Sequence, residues 1–302
     1  MDSPIEANAG TLDVISDAIC PWCWIGKRNL DTALGMLAED GLHFRVTLQE
    51  GTCWTGARRS GMVGGPCRGG SPMDSATEAN AGNLDVISDA ICPWCWIGKR
   101  HLDAALGMLA EEGLTFNVRF RPFQLNPEMP AEGVDRREYR SAKFGSLEKS
   151  QELDRRVADA GRVAGLEFRH DLMARTPNTL EAHRLMRLAG TDGRQRAVAE
   201  AIFQAYFQEG RDIGDAATLA SLGAAAGMSA ESLAAFSAGD AGRHEVLAED
   251  EGYRRAGISG VPSFVLDRHL LFSGAMPPEH IADGLRRAVT ILRERAREAA
   301  AE

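Results

Sequence analysis

The chain has 302 residues, of which 44% are hydrophobic, so it can bury the core of one large domain or of two lobes. Its formal net charge of −9 and its scattered Lys and Arg residues argue against a nucleic-acid-binding protein. No stretch approaches the roughly 20 apolar residues of a membrane-spanning helix. The polar N-terminus also lacks the pattern of a secretory signal. The sequence therefore predicts a cytoplasmic protein with no membrane and no nucleic-acid partner.

Six cysteines in a chain without a secretory signal indicate redox or metal chemistry rather than a disulfide scaffold. Four of them form two CxxC pairs, one at residues 20–23 and one at residues 92–95. The other two, Cys53 and Cys67, lie in a Gly-rich stretch, and we interpret them as incidental free thiols.

The N-terminal part of the chain contains an internal duplication. Residues 1–46 return as residues 73–118 with few substitutions. The similarity stops after Val46, and residues 47–72 form a Gly- and Arg-rich stretch that we interpret as a disordered linker. We therefore predict that residues 1–46 are a partial duplicate of the first β-α unit and that residues 73–302 are the main domain. A second interpretation is that the linker is frame-shifted coding sequence, which would make Met73 the ancestral start.

The main domain begins with a strand–helix–strand pattern. Residues 84–88 form an apolar run with alternation, residues 93–112 carry apolar side chains at helical spacing, and residues 115–121 predict a second strand. Pro93 suits the first turn of the helix, where its missing N–H group costs nothing. These elements belong to a first half that spans about residues 83–127.

A helical block and a second half follow. Residues 135–255 predict a helical insertion, in which Asp215 and Ser229 are candidate N-caps. Residues 261–266 predict a strand, residues 267–269 a turn and residues 270–272 a returning strand, before a final helix that opens at Pro277 and Pro278. The second half spans about residues 257–298. The element order is thus β-α-β, then a helical insertion, then β-β-α.

The sequence Cys92-Pro93-Trp94-Cys95 at a strand-to-helix junction suits thiol–disulfide exchange. The first thiol lies near the unsatisfied N–H groups of the helix N-terminus, which favour its thiolate. The second thiol is one helical turn away and can close an intramolecular disulfide with the first.

The element order resembles the thioredoxin fold, and the large helical insertion resembles its DsbA-like branch. The chain is similar in particular to FrnE-type proteins, which are cytoplasmic DsbA-like proteins related to 2-hydroxychromene-2-carboxylate isomerases. The resemblance covers about residues 83–292. We therefore expect an α/β thioredoxin-like fold with a large helical insertion, preceded by a partial β-α duplication. The motifs that carry the resemblance are residues 88–99, Phe123-Gln124-Leu125-Asn126-Pro127, Asn178-Thr179 with His183, and Gly260-Val261-Pro262-Ser263-Phe264.

The resemblance also implies roles for individual residues. Cys92 would attack a substrate disulfide, and Cys95 would resolve the mixed disulfide. Pro262 would be a cis-proline that leaves the backbone of Val261 free to pair with a substrate strand. The substrate groove is expected to contain Pro93, Trp94, Val261, Asn178 and His183. A second interpretation of His183 is a buried histidine whose hydrogen bonds are satisfied within the protein.

The predicted activity is that of a protein disulfide oxidoreductase or isomerase. We expect no bound cofactor and no metal. Glutathione or another thiol would be the electron donor. The substrates would be proteins or small molecules that contain a disulfide, and the protein would be a monomer or a homodimer. Pro93 and Trp94 replace the Pro-His dipeptide of the strongly oxidising periplasmic enzymes, so we expect a less oxidising pair. In a cytosol poised between about −220 and −320 mV this dithiol would be largely reduced, which favours reductase or isomerase activity.

Three other hypotheses remain open at this point. One is a glutathione-dependent isomerase or transferase acting on a small aromatic substrate, although the sister families carry serine where Cys92 stands. Another is a non-catalytic chaperone or assembly factor that uses the helical block. The third is a structural zinc site built from both CxxC pairs, although their separation far exceeds the usual spacing of about 15–20 residues. Cys20 and Cys23 would otherwise be a second redox pair, a vestige, or a competitor that exchanges into the main domain.

Overall fold

The computed structural model describes residues 7–16, 42–50 and 79–301, and the chain forms two compact units, residues 1–72 and 73–302. In the first unit, β1 (Ala7–Ser16) and β2 (Leu42–Glu50) pair in parallel. The predicted start of the linker at Thr47 is wrong, because Thr47 and Leu48 continue the alternation of Val46 and the strand runs on to Glu50. The remainder of the predicted linker lies outside the described residues.

The strand pair of the first unit has a counterpart in the second unit. Strands β3 (Ala79–Ser88) and β4 (Leu114–Pro122) are also parallel. Leu12 opposes Val46 in the first pair as Leu84 opposes Val118 in the second, so the same register is kept 72 residues later. The duplication therefore includes the second strand, one element more than the predicted β-α unit.

The second unit is built on a four-stranded mixed sheet with the strand order β4-β3-β7-β8, where β7 is Ser263–Leu266 and β8 is His269–Ser273. Helix α1 (Pro93–Glu111) connects the parallel strands β3 and β4. Strand β7 runs antiparallel to both β3 and β8. The predicted thioredoxin-like α/β fold is confirmed, with the strand that leads to the CxxC motif in the middle of the sheet.

The helical insertion lies between β4 and β7, as predicted. It also contains one short antiparallel pair, β5 with β6, which the sequence analysis did not predict because each strand has only two residues. Within the insertion, α4, α5 and α8 contact β4 and so cover that edge of the sheet. The elements are β5 (Val134–Asp135), α2 (Arg136–Phe144), α3 (Leu147–Val163), β6 (Arg175–Thr176), α4 (Leu180–Thr191), α5 (Gln195–Phe207), α6 (Ala216–Ala225), α7 (Ala230–Ser237) and α8 (Arg243–Arg255).

Local signals in the sequence determine where several elements begin. The side chain of Asp215 accepts a hydrogen bond from the Thr218 N–H group, and Ser229 accepts one from Ser232, so both predicted N-caps are confirmed. Between β7 and β8, Asp267 and Arg268 both adopt positive φ angles, of 44° and 72°. Two consecutive residues of this kind make a tight hairpin turn, as predicted for residues 267–269.

Helix α9 (Pro278–Ala301) closes the fold by packing on α1. Its buried face contains Ile281, Leu285 and Val289, which are spaced four residues apart and so lie on one side of the helix. The opposite side is exposed and rich in arginine. Among the helices of residues 79–301, none combines the length and the apolar character that crossing a bilayer requires.

The core joins the CxxC helix to the insertion. Trp96, the residue after Cys95, is fully buried and stacks on Phe203 and Phe207 of α5, with centroid distances of 6.3 and 5.8 Å. Its indole N–H group donates to Glu200 Oε1 at 3.2 Å. Because buried aromatic pairs contribute both area and preferred geometry, this contact fixes α1 against α5. The aromatic residues of α5 are thus part of the core.

Candidate active site

The two cysteines of the main domain lie at the N-terminus of α1. Cys92 is the N-cap residue, Pro93 occupies the first turn, and the Cys95 N–H group donates to the Cys92 carbonyl at 3.0 Å. The first turn of α1 contains no acidic residue. Both cysteines are free thiols in this structure. A dithiol therefore lies at the positive end of a helix dipole, where a negative sulfur is favoured.

The chain brings the predicted proline to the same place. The peptide bond between Val261 and Pro262 is cis, directly before β7. The Sγ atom of Cys92 lies 3.7 Å from the carbonyl oxygen of Val261, although 169 residues separate them in the sequence. Because β7 pairs with β3, the strand that leads to Cys92, the sheet itself sets this distance.

The members of the motif differ in their environment. Cys92 is 5% exposed and Cys95 is 1% exposed, whereas Trp94 is 39% exposed. Burial raises the pKa of the Cys95 thiol well above its ordinary value, and the adjacent Cys92 raises it further. Cys95 therefore stays protonated near neutral pH, which suits the second thiol of an exchange reaction better than the first.

Asp89 connects the cysteine turn to the rest of the protein. Its carboxylate is fully buried, accepts a hydrogen bond from the Leu125 N–H group at 2.6 Å, and lies 3.3 Å from Nε2 of His183. Its backbone carbonyl accepts a hydrogen bond from the Cys92 N–H group at 3.0 Å. One residue thus joins the start of the motif to α4 and to the segment that follows β4, and satisfies its own buried oxygens while doing so.

The segment that holds Asp89 is in turn held by α8. Both the backbone N–H group and the side-chain amide of Gln124 donate to Asp250, at 3.2 and 3.3 Å. Arg254 donates to the Gln124 carbonyl, and its guanidinium lies 4.2 Å from the centroid of the Phe123 ring. The helical insertion therefore contributes to the position of the active-site turn through the Phe-Gln-Leu segment.

Two of the predicted groove residues have structural partners. The Asn178 amide donates to the Met129 carbonyl at 2.6 Å, and its oxygen accepts from the Leu180 N–H group at 2.9 Å. His183 is buried against Asp89, and it borders a cavity of about 570 Å³ beside β4 that neither Cys92 nor Pro262 lines. The structure favours the interpretation of His183 as a satisfied buried histidine, and substrate contacts of both residues stay predictions.

The first CxxC pair lies outside the described residues, as do Cys53 and Cys67. The role of Cys20 and Cys23 in redox or zinc chemistry therefore stays a prediction. Within residues 80–300, whose side chains the structure describes, no three His, Cys, Asp or Glu side chains converge as a metal site would require.

Sequence reasoning assigned no role to Gly98 or Gln195, which both matter here. Gly98 packs against Pro262, and an isolated glycine inside a helical pattern was the available signal. Gln195 exchanges two hydrogen bonds with the backbone of Phe120, at 2.8 and 3.1 Å, and so occupies a position that a neighbouring strand would take. No local sequence pattern predicts such a contact, because it joins residues 75 positions apart.

Comparisons with known proteins agree with this geometry. The DSBA-like thioredoxin domain family matches residues 83–286. The uncharacterized protein YwbO of Bacillus subtilis is 25% identical over 185 residues, 61% of this chain and 86% of YwbO. A solved structure assigned as a probable DsbA oxidoreductase of Streptomyces coelicolor is 31% identical, with a TM-score of 0.62 over 68% of this chain and 89% of that one. A candidate protein disulfide isomerase of Nitrosomonas europaea, 18% identical, shares the fold with a TM-score of 0.55 over 71% of this chain and 98% of its own. The chain therefore belongs to the DSBA-like thioredoxin domain family, a family of disulfide oxidoreductases.

Proposed function

We propose that this protein exchanges thiols with disulfides in protein substrates, using Cys92 as the nucleophile and Cys95 as the resolving thiol. One observation carries the proposal. Cys92 caps the N-terminus of α1 while its Sγ atom lies 3.7 Å from the carbonyl of Val261, next to a cis-proline. A reactive sulfur is thus placed beside backbone that a substrate strand can pair with.

In the first step, the Cys92 thiolate attacks one sulfur of the substrate disulfide. The substrate S–S bond breaks, and its electron pair leaves with the second substrate sulfur, which takes up the proton that Cys92 released. A mixed disulfide now joins Cys92 to the substrate. As Cys92 forms this bond, the Val261 carbonyl loses its thiol partner and becomes free to accept a hydrogen bond from the substrate backbone.

In the second step, Cys95 loses its proton and attacks the Cys92 sulfur. The mixed disulfide breaks, and the remaining substrate sulfur leaves with the electron pair and takes up a proton. The substrate has gained two electrons, and Cys92 and Cys95 have become a disulfide. Two thiols of glutathione, or another dithiol, restore the reduced pair and become a disulfide themselves. If a second substrate thiol releases Cys92 instead, the substrate is isomerised without net electron transfer.

The direction of transfer follows from the middle of the motif. Trp94 cannot carry a positive charge, so it does not stabilise a thiolate as a protonated histidine would. We expect a pair that is less oxidising than the Pro-His type and that remains reduced in a glutathione-buffered compartment. We therefore propose reductase or isomerase activity in the cytoplasm, in keeping with the FrnE-type motifs of the sequence.

The test traps the intermediate. We expect the Cys95→Ser variant to accumulate a mixed disulfide between Cys92 and an oxidised test protein, visible by mass spectrometry after alkylation, because nothing resolves it. The matched control is Cys23→Ser, the same position of the first motif, which should release substrate like the unmodified chain. In glutathione buffers of stepped ratio, Cys92 and Cys95 of the unmodified chain should close at a single potential.

The same experiments separate the other hypotheses. An unmodified chain that neither reduces a protein disulfide nor closes the Cys92–Cys95 bond would contradict the proposal. Turnover of an aromatic chromene carboxylate that survives Cys92→Ser would instead favour the glutathione-dependent isomerase. Suppression of aggregation that survives loss of both cysteines, in a chain without exchange activity, would favour the non-catalytic chaperone.

A further inference from the structure

Gly98 is an unexpected residue inside α1, one helical turn after Cys95. Glycine in a helix interior is destabilising relative to alanine. A Cβ atom at this position, however, would lie 2.9 Å from Cγ of Pro262 and 3.6 Å from Cβ of Ala275. The first distance is shorter than ordinary van der Waals contacts, which begin at 3.4 Å. The absence of a side chain thus allows α1 to pack directly against the cis-proline.

The proline is not free to move away from such a side chain. Its carbonyl accepts a hydrogen bond from the Gly274 N–H group at 2.7 Å. The next residue, Ser263, donates to the Gly260 carbonyl at 2.8 Å and shares a hydrogen bond with Ser273 at 2.6 Å. The Cγ atom of Pro262 also belongs to the pyrrolidine ring, which cannot rotate away as a long side chain can.

The first turns of α1 are therefore the part that would yield to a methyl group at position 98. Those turns follow Cys92 directly, and the Sγ atom of Cys92 lies 3.7 Å from the carbonyl oxygen of Val261. We propose that Gly98 is a positioning residue that sets the separation of Cys92 and Val261, and thereby selects protein disulfides presented in an extended strand. This inference rests on the proposed exchange activity and names its substrate class.

Two kinds of disulfide depend on this separation to different degrees. A protein substrate needs its scissile sulfur at Cys92 while its backbone pairs beside the cis-proline, so both contacts have to form together. A small disulfide such as oxidised glutathione reaches Cys92 without needing a strand on Val261. A change in the separation of Cys92 and Val261 should therefore affect the two activities differently, whereas a general loss of structure should lower both.

The test compares G98A with G107A. Both glycines lie in α1, and a Cβ atom at Gly107 would meet no atom within 4 Å. For G98A we expect kcat/KM for an oxidised protein to fall by about 10-fold or more, since misplacement by a fraction of an ångström has effects of this order. The reaction of oxidised glutathione with Cys92 should change by less than about twofold, as should both activities in G107A.

Two further measurements distinguish positioning from damage. The midpoint of Cys92–Cys95 oxidation in glutathione buffers should be the same in G98A and G107A. The second measurement is urea denaturation, which should show G98A folded under the conditions of the assay. A merely destabilising effect of G98A would lower both activities in proportion to the unfolded fraction.

The outcomes are distinct from those that test the activity itself. An unmodified chain without exchange activity would contradict the proposed function. If the unmodified chain is active, equal activity of G98A and G107A on the protein disulfide would overturn the role of Gly98. So would a parallel loss on both substrates.

Discussion

The two copies of the parallel strand pair, β1–β2 and β3–β4, share their register but differ in what lies beside them. In the second unit, β3 pairs on its other edge with β7, which brings Pro262 to Cys92. In the first unit, the sheet has two strands among the described residues. The same residues therefore build the same local pairing in both copies, whereas the site at Cys92 also depends on β7, which lies outside the duplication.

The copies also differ in how the chain continues. After Val118 the second copy runs through β4 into the Phe-Gln-Leu segment, which holds Asp89 and is held by Asp250 and Arg254. After Val46 the first copy has a different sequence, Thr-Leu-Gln-Glu, at the end of its strand. In the second copy the CxxC motif is held by partners distant in the chain, and the residues that directly follow Val46 do not repeat the Phe-Gln-Leu segment.

The largest effect should come from comparing the nucleophiles of the two motifs. We expect Cys92→Ser to abolish reduction of a disulfide-bonded test protein, because serine cannot form the mixed disulfide. Cys20→Ser, the matched change in the first copy, should retain most of the activity. Initial rates of test-protein reduction with glutathione as donor measure both variants.

Two results would break this comparison. Full activity in Cys92→Ser would remove the second copy from the chemistry. An equal loss in both variants would mean that the first motif is part of the working protein, and the division at residue 72 would then have no functional meaning.

A second prediction concerns pH and the resolving thiol. Because the pKa of Cys95 is raised in the folded protein, the folded dithiol keeps this proton to a higher pH than the unfolded chain does. The resulting contribution to the free energy of unfolding is complete below the unfolded thiol pKa of about 8.5, and it is lost as the pH rises towards the folded value.

Urea denaturation of the reduced protein, at neutral pH and above that thiol pKa, checks this. Cys95→Ala should lose less stability between the two conditions than the unmodified chain. Cys23→Ala is the control from the other copy and should behave like the unmodified chain. The same loss of stability in all three proteins would show that Cys95 contributes nothing to it.

The smallest effect concerns the edge of the sheet. Gln195 satisfies both the N–H and the carbonyl group of Phe120 in β4, so Gln195→Ala should lower the free energy of unfolding by about 1–3 kcal/mol. Gln204→Ala lies on the exposed side of the same helix and is the matched control, expected within about 0.5 kcal/mol of the unmodified chain. Equal values for the two variants would show that the edge of β4 needs no such partner.

Much of the fold follows from local patterns. The strand–helix–strand start, the hairpin at Asp267 and Arg268, and the caps at Asp215 and Ser229 are set by periodicity, turn residues and side-chain oxygens close in sequence. Local patterns were less reliable at the end of the duplicated sequence, where an alternating pattern meets a Gly- and Arg-rich stretch. The alternation through Thr47 and Leu48 outweighed the Gly- and Arg-rich composition that follows, so β2 is longer than expected.

The sequence alone indicated the proposed thiol–disulfide chemistry, because two thiols separated by two residues at a helix N-terminus suit exchange and their resemblance to known motifs is specific. Only the tertiary structure decided how that chemistry is held. The buried Asp89, the contact of Gly98 with Pro262 and the cap of Gln195 on β4 join residues far apart in the chain. Such contacts depend on packing distances of a few ångströms, which no local pattern of residues contains.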